Sequence, residues 1–237
     1  TSQKKLKITT ELPFMNKHQK GNKTMTSFMQ NPNLTLINEY EHISQPVITE
    51  HGKLVLEYLS RINDALEKSL DEYNRIYVQR VDLRYPKNYS HEDSRVITRF
   101  IESIKSKIEN DLKRKGKTGR CNLRYVWVKE YATSEMPHYH IALIFNKDIY
   151  FCLGNFANDS GNLSSMIKEA WASALGIEYF QVENSVHFPK NSTYYIHKGR
   201  ESYLEEYRQC FYRLSYLAKI DTKIYSNGLK NFSTSRK

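Results

Sequence analysis

Two histidines at the start of an apolar run are the residues with the clearest capacity for chemistry. His138 and His140 alternate within residues 137–145, whose pattern is typical of a buried strand. Successive side chains on a strand point to opposite faces, so the two imidazoles would share a face and could hold one metal ion. Glu130 and Glu135 precede them, and either carboxylate could complete the ligand set. The alternative is that they are ordinary polar residues at a strand end.

A divalent ion held by two imidazoles and a carboxylate keeps coordination positions open for a phosphate oxygen and water. It would act as a Lewis acid on a phosphodiester, and a tyrosine could then serve as the nucleophile. Tyr212 and Tyr216 are four residues apart, so a helix would place them on one face, and Lys219 lies one turn further on. Tyrosines at helical spacing are also common in core packing, which is the competing interpretation.

Three segments together resemble the HUH endonucleases, which cut single-stranded DNA with a tyrosine and are named for a histidine-hydrophobe-histidine metal site. These segments are Tyr125-Val-Trp-Val-Lys-Glu130, Pro137-His-Tyr-His140 and Leu214-Ser-Tyr-Leu-Ala-Lys219. More narrowly, the chain resembles the inovirus-type replication initiators of phages, prophages and phage satellites. This resemblance covers residues 76–223 and leaves the first fifty residues unexplained.

The resemblance implies a role for each of these residues. Glu130 would join the two histidines as a ligand of Mg²⁺ or Mn²⁺. Tyr216, which begins a Tyr-x-x-Lys motif, would attack the phosphate to give a 5′-phosphotyrosyl DNA and a free 3′-hydroxyl. Lys219 would hold the scissile phosphate or ease deprotonation of the phenol. Because some phage initiators use two tyrosines in turn, Tyr212 is a candidate second nucleophile, beside a packing or phosphate-contact role.

The function implied is that of an enzyme that nicks and rejoins single-stranded or hairpin origin DNA and so starts rolling-circle replication of a phage or satellite. Gly116-Lys-Thr118 is not part of a P-loop, because the first glycine of that motif would fall on Asp111. We therefore expect a host or partner helicase, together with a polymerase, to act with the protein.

Several alternatives share parts of this interpretation. An HUH relaxase or a single-strand transposase would keep the chemistry, although relaxases of this class usually place the tyrosine before the histidines, whereas Tyr216 follows them. A DNA-binding regulator would keep the fold without activity. A metal-binding RNA-processing protein would act on RNA instead of DNA.

The composition favours a nucleic-acid partner. Lys and Arg number 36 against 26 acidic residues, giving a net charge of +10, and 18 Tyr, 10 Phe and 2 Trp accompany them. Such a mixture suits single-stranded nucleic acid, because bases stack on rings while cations meet phosphates. A generically basic protein is the alternative. The candidate DNA contacts are Arg84, Lys113, Arg114, Lys115, Lys117, Arg120 and Lys223.

Cysteine usage and hydropathy bear on the compartment. Cys121, Cys152 and Cys210 show no Cys-x-x-Cys spacing and fit a reducing cytoplasm. No apolar run approaches the ~20 residues that span a bilayer, and the N-terminus shows no apolar signal core. We expect a cytoplasmic protein without a membrane partner.

The pattern of apolar residues predicts an α+β fold, with a mostly antiparallel central sheet backed by helices on one face, as in HUH nucleases. The tyrosine helix would lie across the metal-bearing face. Helices are predicted over residues 54–73, 96–112, 163–175 and 201–219. Strands are predicted over residues 76–84, 122–131, 137–145 and 182–187, and a short helix or turn over 194–197.

Two further expectations concern register and domain boundaries. A hairpin across residues 132–136 would set Glu130 opposite His138, on an assumed register. In the strand over 76–84, Asp82 and Arg84 face the same way and could form an ion pair, contact DNA or simply be surface residues. Residues 1–50 are predicted to be a polar, basic and partly disordered arm, and residues 51–237 the HUH endonuclease domain.

Overall fold

The computed structural model describes residues 34–37, 46–87, 89, 92–131, 136–156, 160–221, 223 and 230–236. The rest of the predicted N-terminal arm lies outside the described residues. The elements in chain order are β1 (Leu36–Ile37), β2 (Leu54–Val55), α1 (Leu56–Glu72), β3 (Arg75–Arg84), α2 (Val96–Arg114), β4 (Arg124–Glu130), β5 (His138–Asn146), α3 (Leu163–Leu175), β6 (Val186–His187), β7 (Thr193–His197), α4 (Tyr203–Ser215) and β8 (Phe232–Thr234).

The helices follow the apolar spacing of the sequence. In α2, buried Val96, Phe100, Ile104 and Ile108 recur every fourth residue and form one stripe. The helix α3 begins at a capping box in which Asn162 accepts from the Ser165 amide, and it ends at Gly176 in the left-handed conformation, with φ 71°. The predicted C-cap is therefore confirmed.

Within the described residues, the central sheet has six strands and all of its pairings are antiparallel, as predicted. The order is β6-β3-β5-β4-β8, and β7 also pairs with β3, along the half that β6 leaves free. The long strands β3 and β5 lie at the centre and are paired over nine residues, from Ile76↔Asn146 to Arg84↔His138. The fold is α+β, as the sequence predicts.

Helices cover both faces of this sheet, so the expectation of helices on one face is wrong. On one face, Tyr139, Ile141 and Leu143 of β5 pack with α2 and α3. On the other face, Ala142 and Ile144 of the same strand pack with α1 and α4. The physical reason is that β5 is apolar on both sides beyond its histidines, so each face must be removed from water.

Three local predictions differ from the structure. The segment Thr193–His197 is a strand rather than a helix or turn, because β3 offers it an open edge and Ile196 enters the core. The predicted strand over 182–187 is reduced to Val186–His187 after a 3₁₀ turn at Tyr179–Val182. The strand Phe232–Thr234, which pairs with β4, was not predicted in the polar tail.

Parts of the predicted arm pack against the domain. β1 pairs with β2 in a separate two-stranded sheet. Val47 and Ile48 are buried, and the Ile48 amide donates to Ser215 Oγ at 2.8 Å. These contacts tie residues 34–37 and 46–50 to the core that contains α1 and α4. Among the described residues, no helix has the length and apolar character needed to cross a membrane.

Asp111, the residue that excludes a P-loop, stabilises the C-terminal end of α2. Its buried carboxylate accepts from Arg114 at 2.7 Å, Lys115 at 2.8 Å and the Tyr150 hydroxyl at 2.8 Å. Burial by itself would raise the pKa of this carboxyl, but the three hydrogen bonds outweigh it and leave the pKa lowered.

Asp111→Asn should lower the free energy of unfolding by about 1–3 kcal/mol, because charge-assisted hydrogen bonds are lost. A carboxyl with a lowered folded-state pKa stabilises fully above its unfolded pKa of ~4 and loses that contribution as the pH falls through the folded value. The difference between wild type and variant in urea titrations should therefore be larger near about pH 7 than near about pH 3. Asp148→Asn is the control, since Asp148 pairs with Arg75 at the surface. This substitution should change the free energy of unfolding by less than about 1 kcal/mol.

Candidate active site

Strand pairing brings the predicted metal ligands side by side. β4 and β5 form the predicted hairpin, and its register sets Glu130 opposite His138 as expected. β3 pairs with the other edge of β5 and sets Asp82 opposite His140 and Arg84 opposite His138. Opposed residues of paired strands share a face, so these five side chains lie on the face that α1 and α4 cover.

The three predicted ligands converge on one point. The Nε2 atoms of His138 and His140 are 3.0 Å apart, and His140 Nε2 lies 3.6 Å from Glu130 Oε2. Ligand atoms of the three residues lie within 4.8 Å of one another. Two atoms bound to one ion at roughly 2.1 Å are about 3.0 Å apart at a right angle and about 3.4 Å apart at the tetrahedral angle. The three residues therefore form a cluster of donor atoms that could hold a metal ion.

Asp82 orients His140. A carboxylate can only accept, so His140 Nδ1 donates to Asp82 Oδ1, at 2.6 Å, and Nε2 is the nitrogen that faces Glu130. Burial lowers the pKa of His140, but hydrogen bonds with Asp82 and Glu130 outweigh it and leave the pKa raised. In the sequence, Asp82 is indicated by its place in a strand predicted to lie beside the histidine strand. Which histidine it contacts depends on the register of the two strands.

His138 is held in its neutral form. Burial and the neighbouring His140 and Arg84 lower its pKa to about 4, against an opposing effect of Glu130. A neutral imidazole is the form that ligates metals. Of the predicted DNA contacts, Arg84 thus lies beside the candidate metal centre, at the exposed end of β3.

Two lysines neutralise the buried Glu130. Lys219 Nζ lies 3.1 Å from Oε2 and Lys223 Nζ lies 3.3 Å from Oε1. The Lys223 side chain is fully buried, and burial lowers its pKa to about 8 although Glu130 acts in the opposite direction. Lys223, one of the predicted DNA contacts, therefore contacts Glu130 inside the domain. Together the two ammonium groups compensate a carboxylate that is removed from water.

Tyr216 lies beside the metal ligands. The helix α4 ends at Ser215, one turn earlier than predicted, and Tyr216 begins a 3₁₀ turn that ends at Ala218. Side chains at i and i+3 nearly eclipse in a 3₁₀ turn, and the Lys219 ammonium donates to the Tyr216 hydroxyl at 2.6 Å. The Tyr216 ring meets the rings of His140 and His51 edge-on, with centroids 5.9 and 5.3 Å apart.

Tyr212, the second candidate nucleophile, is half-buried one turn before Tyr216. Among the described residues, Tyr212 makes no ring contact like that of Tyr216 with His140 and no hydrogen bond like that of Tyr216 with Lys219. Its backbone carbonyl accepts from Ser215 Oγ at 2.6 Å.

The predicted basic turn lies at the other end of the sheet. Asn146, the last residue of β5, donates from its side chain to the Arg120 carbonyl, and β5 extends roughly 26 Å from His138 to that point. Arg114 and Lys115 pair with Asp111 there. The structure therefore does not bring this turn to the candidate metal centre. The residues of the turn are Lys113, Arg114, Lys115, Lys117 and Arg120.

Two residues beside Tyr216 were not predicted from the sequence. Arg80 lies with its Cζ 5.9 Å from the centre of the Tyr216 ring, and His51 meets the ring edge. Arg80 lies on the same face of β3 as Asp82, because alternate residues of a strand share a face. This alternation could have indicated Arg80 from the sequence. His51 lies far away in the sequence, and no pattern in the chain connects it to Tyr216.

Residues 36–235 match the family described as the YagK/YfjJ C-terminal domain. The chain is 39% identical over 199 residues to the uncharacterized protein YagK of Escherichia coli (strain K12), which covers 78% of this chain and 95% of YagK. It is 34% identical over 203 residues to the uncharacterized protein YfjJ of the same strain, with 79% of this chain and 98% of YfjJ covered. No solved structure matches the chain. The matched region includes every residue of the candidate site.

Asp82→Asn should weaken Mn²⁺ binding by about 10- to 100-fold, because the hydrogen bond that orients His140 loses its negative acceptor. Isothermal titration calorimetry of the folded proteins measures the change. His138→Ala combined with His140→Ala should abolish the site, whereas His197→Ala, on β7, should bind like the wild type. Equal affinities of Asp82→Asn and wild type would contradict the orienting role.

Proposed function

We propose that this chain, which belongs to the YagK/YfjJ C-terminal domain family, cuts and rejoins single-stranded DNA with Tyr216 as the nucleophile. The observation that carries the proposal is the hydrogen bond from Lys219 to the Tyr216 hydroxyl directly beside His138, His140 and Glu130. A phenol, a cation and a metal-ligand set in contact are the parts that transfer of a phosphodiester to tyrosine requires.

The proposed reaction conserves the phosphodiester. The Tyr216 phenol loses its proton to solvent, its oxygen forms a bond to phosphorus, and the bond from phosphorus to the 3′ oxygen breaks. The leaving 3′ oxygen takes up a proton, so the products are a 5′-phosphotyrosyl DNA and a free 3′-hydroxyl. Attack of a 3′-hydroxyl on the same phosphorus reverses these steps and rejoins the strand. A bound Mg²⁺ or Mn²⁺ supplies Lewis-acid polarisation of a phosphate oxygen.

Lys219 acts in this proposal as a cation and not as a base. Burial lowers its pKa, but hydrogen bonds and charges of Tyr216 and Glu130 outweigh that effect and leave the pKa raised. A protonated ammonium at 2.6 Å from the phenol oxygen stabilises the phenolate that forms as Tyr216 attacks. Of the two roles that the sequence left open, this contact supports easing of deprotonation.

The biological setting that fits this chemistry best is initiation of rolling-circle replication at a single-stranded or hairpin origin of a phage or satellite. The net charge of +10 supports a polyanionic partner, and the three free cysteines support a cytoplasmic location. A helicase and a polymerase from the host or a partner would extend the nicked strand. A relaxase, a single-strand transposase and an inactive regulator are the alternative settings for the same fold.

Formation of the covalent adduct should need Mg²⁺ or Mn²⁺ and stop in excess chelator. Mn²⁺ should act at least as well as Mg²⁺, because two of the three ligands are imidazoles. The measurement is gel-shift detection of a protein adduct on labelled single-stranded oligonucleotides from the replicon that encodes the protein. Undiminished adduct in chelator would refute the metal requirement.

Tyr216→Phe should eliminate the adduct while changing DNA affinity by less than about tenfold, because only one hydroxyl is removed. Tyr212→Phe, which makes the same chemical change one turn away, should still form the first adduct. If Tyr212 is a second nucleophile, this variant should cleave once and fail to transfer the strand in a second round. Mass spectrometry of the trapped peptide decides the assignment, and an adduct on Tyr212 alone in the wild type would overturn it.

A further inference from the structure

Arg80 is a buried cation without a hydrogen-bond partner for its side chain among the described residues. It lies on β3, on the face that carries Asp82 and the metal ligands, and is 8% exposed. Its Nε–H is fully buried and has no acceptor. A guanidinium stays protonated at all physiological pH values and has five donors. Burial of such a group is costly unless an anion compensates it.

No neighbouring carboxylate among the described residues forms an ion pair with Arg80. The carboxylate of Asp82, two residues along the strand, attracts Arg80 electrostatically but is hydrogen-bonded to His140. Unlike Arg80, both lysines of the site have partners. Lys219 contacts Tyr216 and Glu130, and Lys223 contacts Glu130. Arg80 is therefore the cation beside Tyr216 whose donors remain available within the described part of the chain.

The position of Arg80 indicates where its anion would sit. Its Cζ lies 5.9 Å from the centre of the Tyr216 ring, on which the Lys219 ammonium also lies at 4.2 Å. A phosphorus atom under attack by the Tyr216 oxygen must lie next to that ring. A phosphodiester offers two non-bridging oxygens, which match the planar fork of a guanidinium.

We propose that Arg80 binds the non-bridging oxygens of a phosphodiester at Tyr216, and keeps hold of the same phosphate in the phosphotyrosyl intermediate. This inference rests on the proposed function and deepens it, because it assigns the phosphate-binding group of the site. The attacking phenolate and the phosphodiester each carry a negative charge, so a fixed cation stabilises the transition state more than the separated reactants.

Direct binding is tested without any nicking. The side-chain Nε–H signal of Arg80, identified by its absence in Arg80→Met, should shift in NMR spectra when dithymidine monophosphate is added in the presence of chelator. This probe is a phosphodiester with no sequence requirement. The Nε–H signal of Arg124 is the internal control, since Arg124 is a largely buried arginine near the far end of β4 that pairs with Glu72. An unmoved Arg80 signal at saturating probe would overturn the proposal.

Kinetics of adduct formation provide the second test. Arg80→Met keeps an apolar stem of similar length and should slow adduct formation by about 100- to 1,000-fold, as for loss of one oxyanion donor. Arg80→Lys keeps the charge without the fork and should recover only part of the rate. Arg124→Met should react like the wild type. Thermal unfolding and Mn²⁺ binding of each variant show that the fold and the metal ligands are retained.

The outcomes separate the two proposals. A wild-type protein that forms no adduct but shows the Arg80 shift would refute the nicking function and leave the phosphate site standing. A wild type and an Arg80→Met variant that form the adduct at equal rates would refute the role of Arg80 and leave nicking standing. A structural role alone, in which Arg80 only packs on Tyr216, predicts slower reaction without any shift of the Arg80 signal.

Discussion

The antiparallel register of β5 between β3 and β4 is the constraint on which the candidate site depends. It sets Glu130 opposite His138 on one side and Asp82 opposite His140 on the other. A slip of one residue would turn every side chain of a strand to the opposite face. Both faces of β5 are packed against helices, so such a slip would also carry the histidines into the apolar layer under α2 and α3. The packing of the whole domain therefore holds the histidines in place.

Buried charge is the second organising feature. Glu130 is 1% exposed, yet it contacts two ammonium groups and one imidazole. Lys219 joins this network to Tyr216, because the same ammonium contacts the carboxylate and the phenol. The candidate metal ligands and the candidate nucleophile thus form one electrostatic unit, in which a change of one charge alters the environment of every other member.

The family match covers the elements that form this arrangement. The matched region begins at residue 36 and ends at residue 235, so it includes β1, the central sheet and all four helices. YagK and YfjJ are covered over almost their full length. Arg80, Asp82 and Tyr216 all lie inside the matched region.

The elements that carry a strong periodic pattern could be predicted from the sequence. The stripe of α2, the boundaries of α3 and the two strands that carry Glu130 and His138 follow from local spacing, since amphipathic faces and caps are properties of neighbouring residues. The candidate histidine ligands and the Tyr-x-x-Lys motif were also visible in the sequence, because each lies within one short segment. The short strands β7 and β8 were not, because their few residues form strands only where β3 and β4 present open edges.

The tertiary fold sets which separate segments meet. It joined Arg80 and Asp82 to the site through strand pairing, buried Lys223 under Glu130, and placed the basic turn at the far end of β5. It also ended α4 at Ser215, so that a 3₁₀ turn brings Lys219 onto Tyr216. These outcomes depend on contacts between residues that are distant in the chain, and such contacts are selected by burial and charge compensation over the whole fold rather than by local spacing.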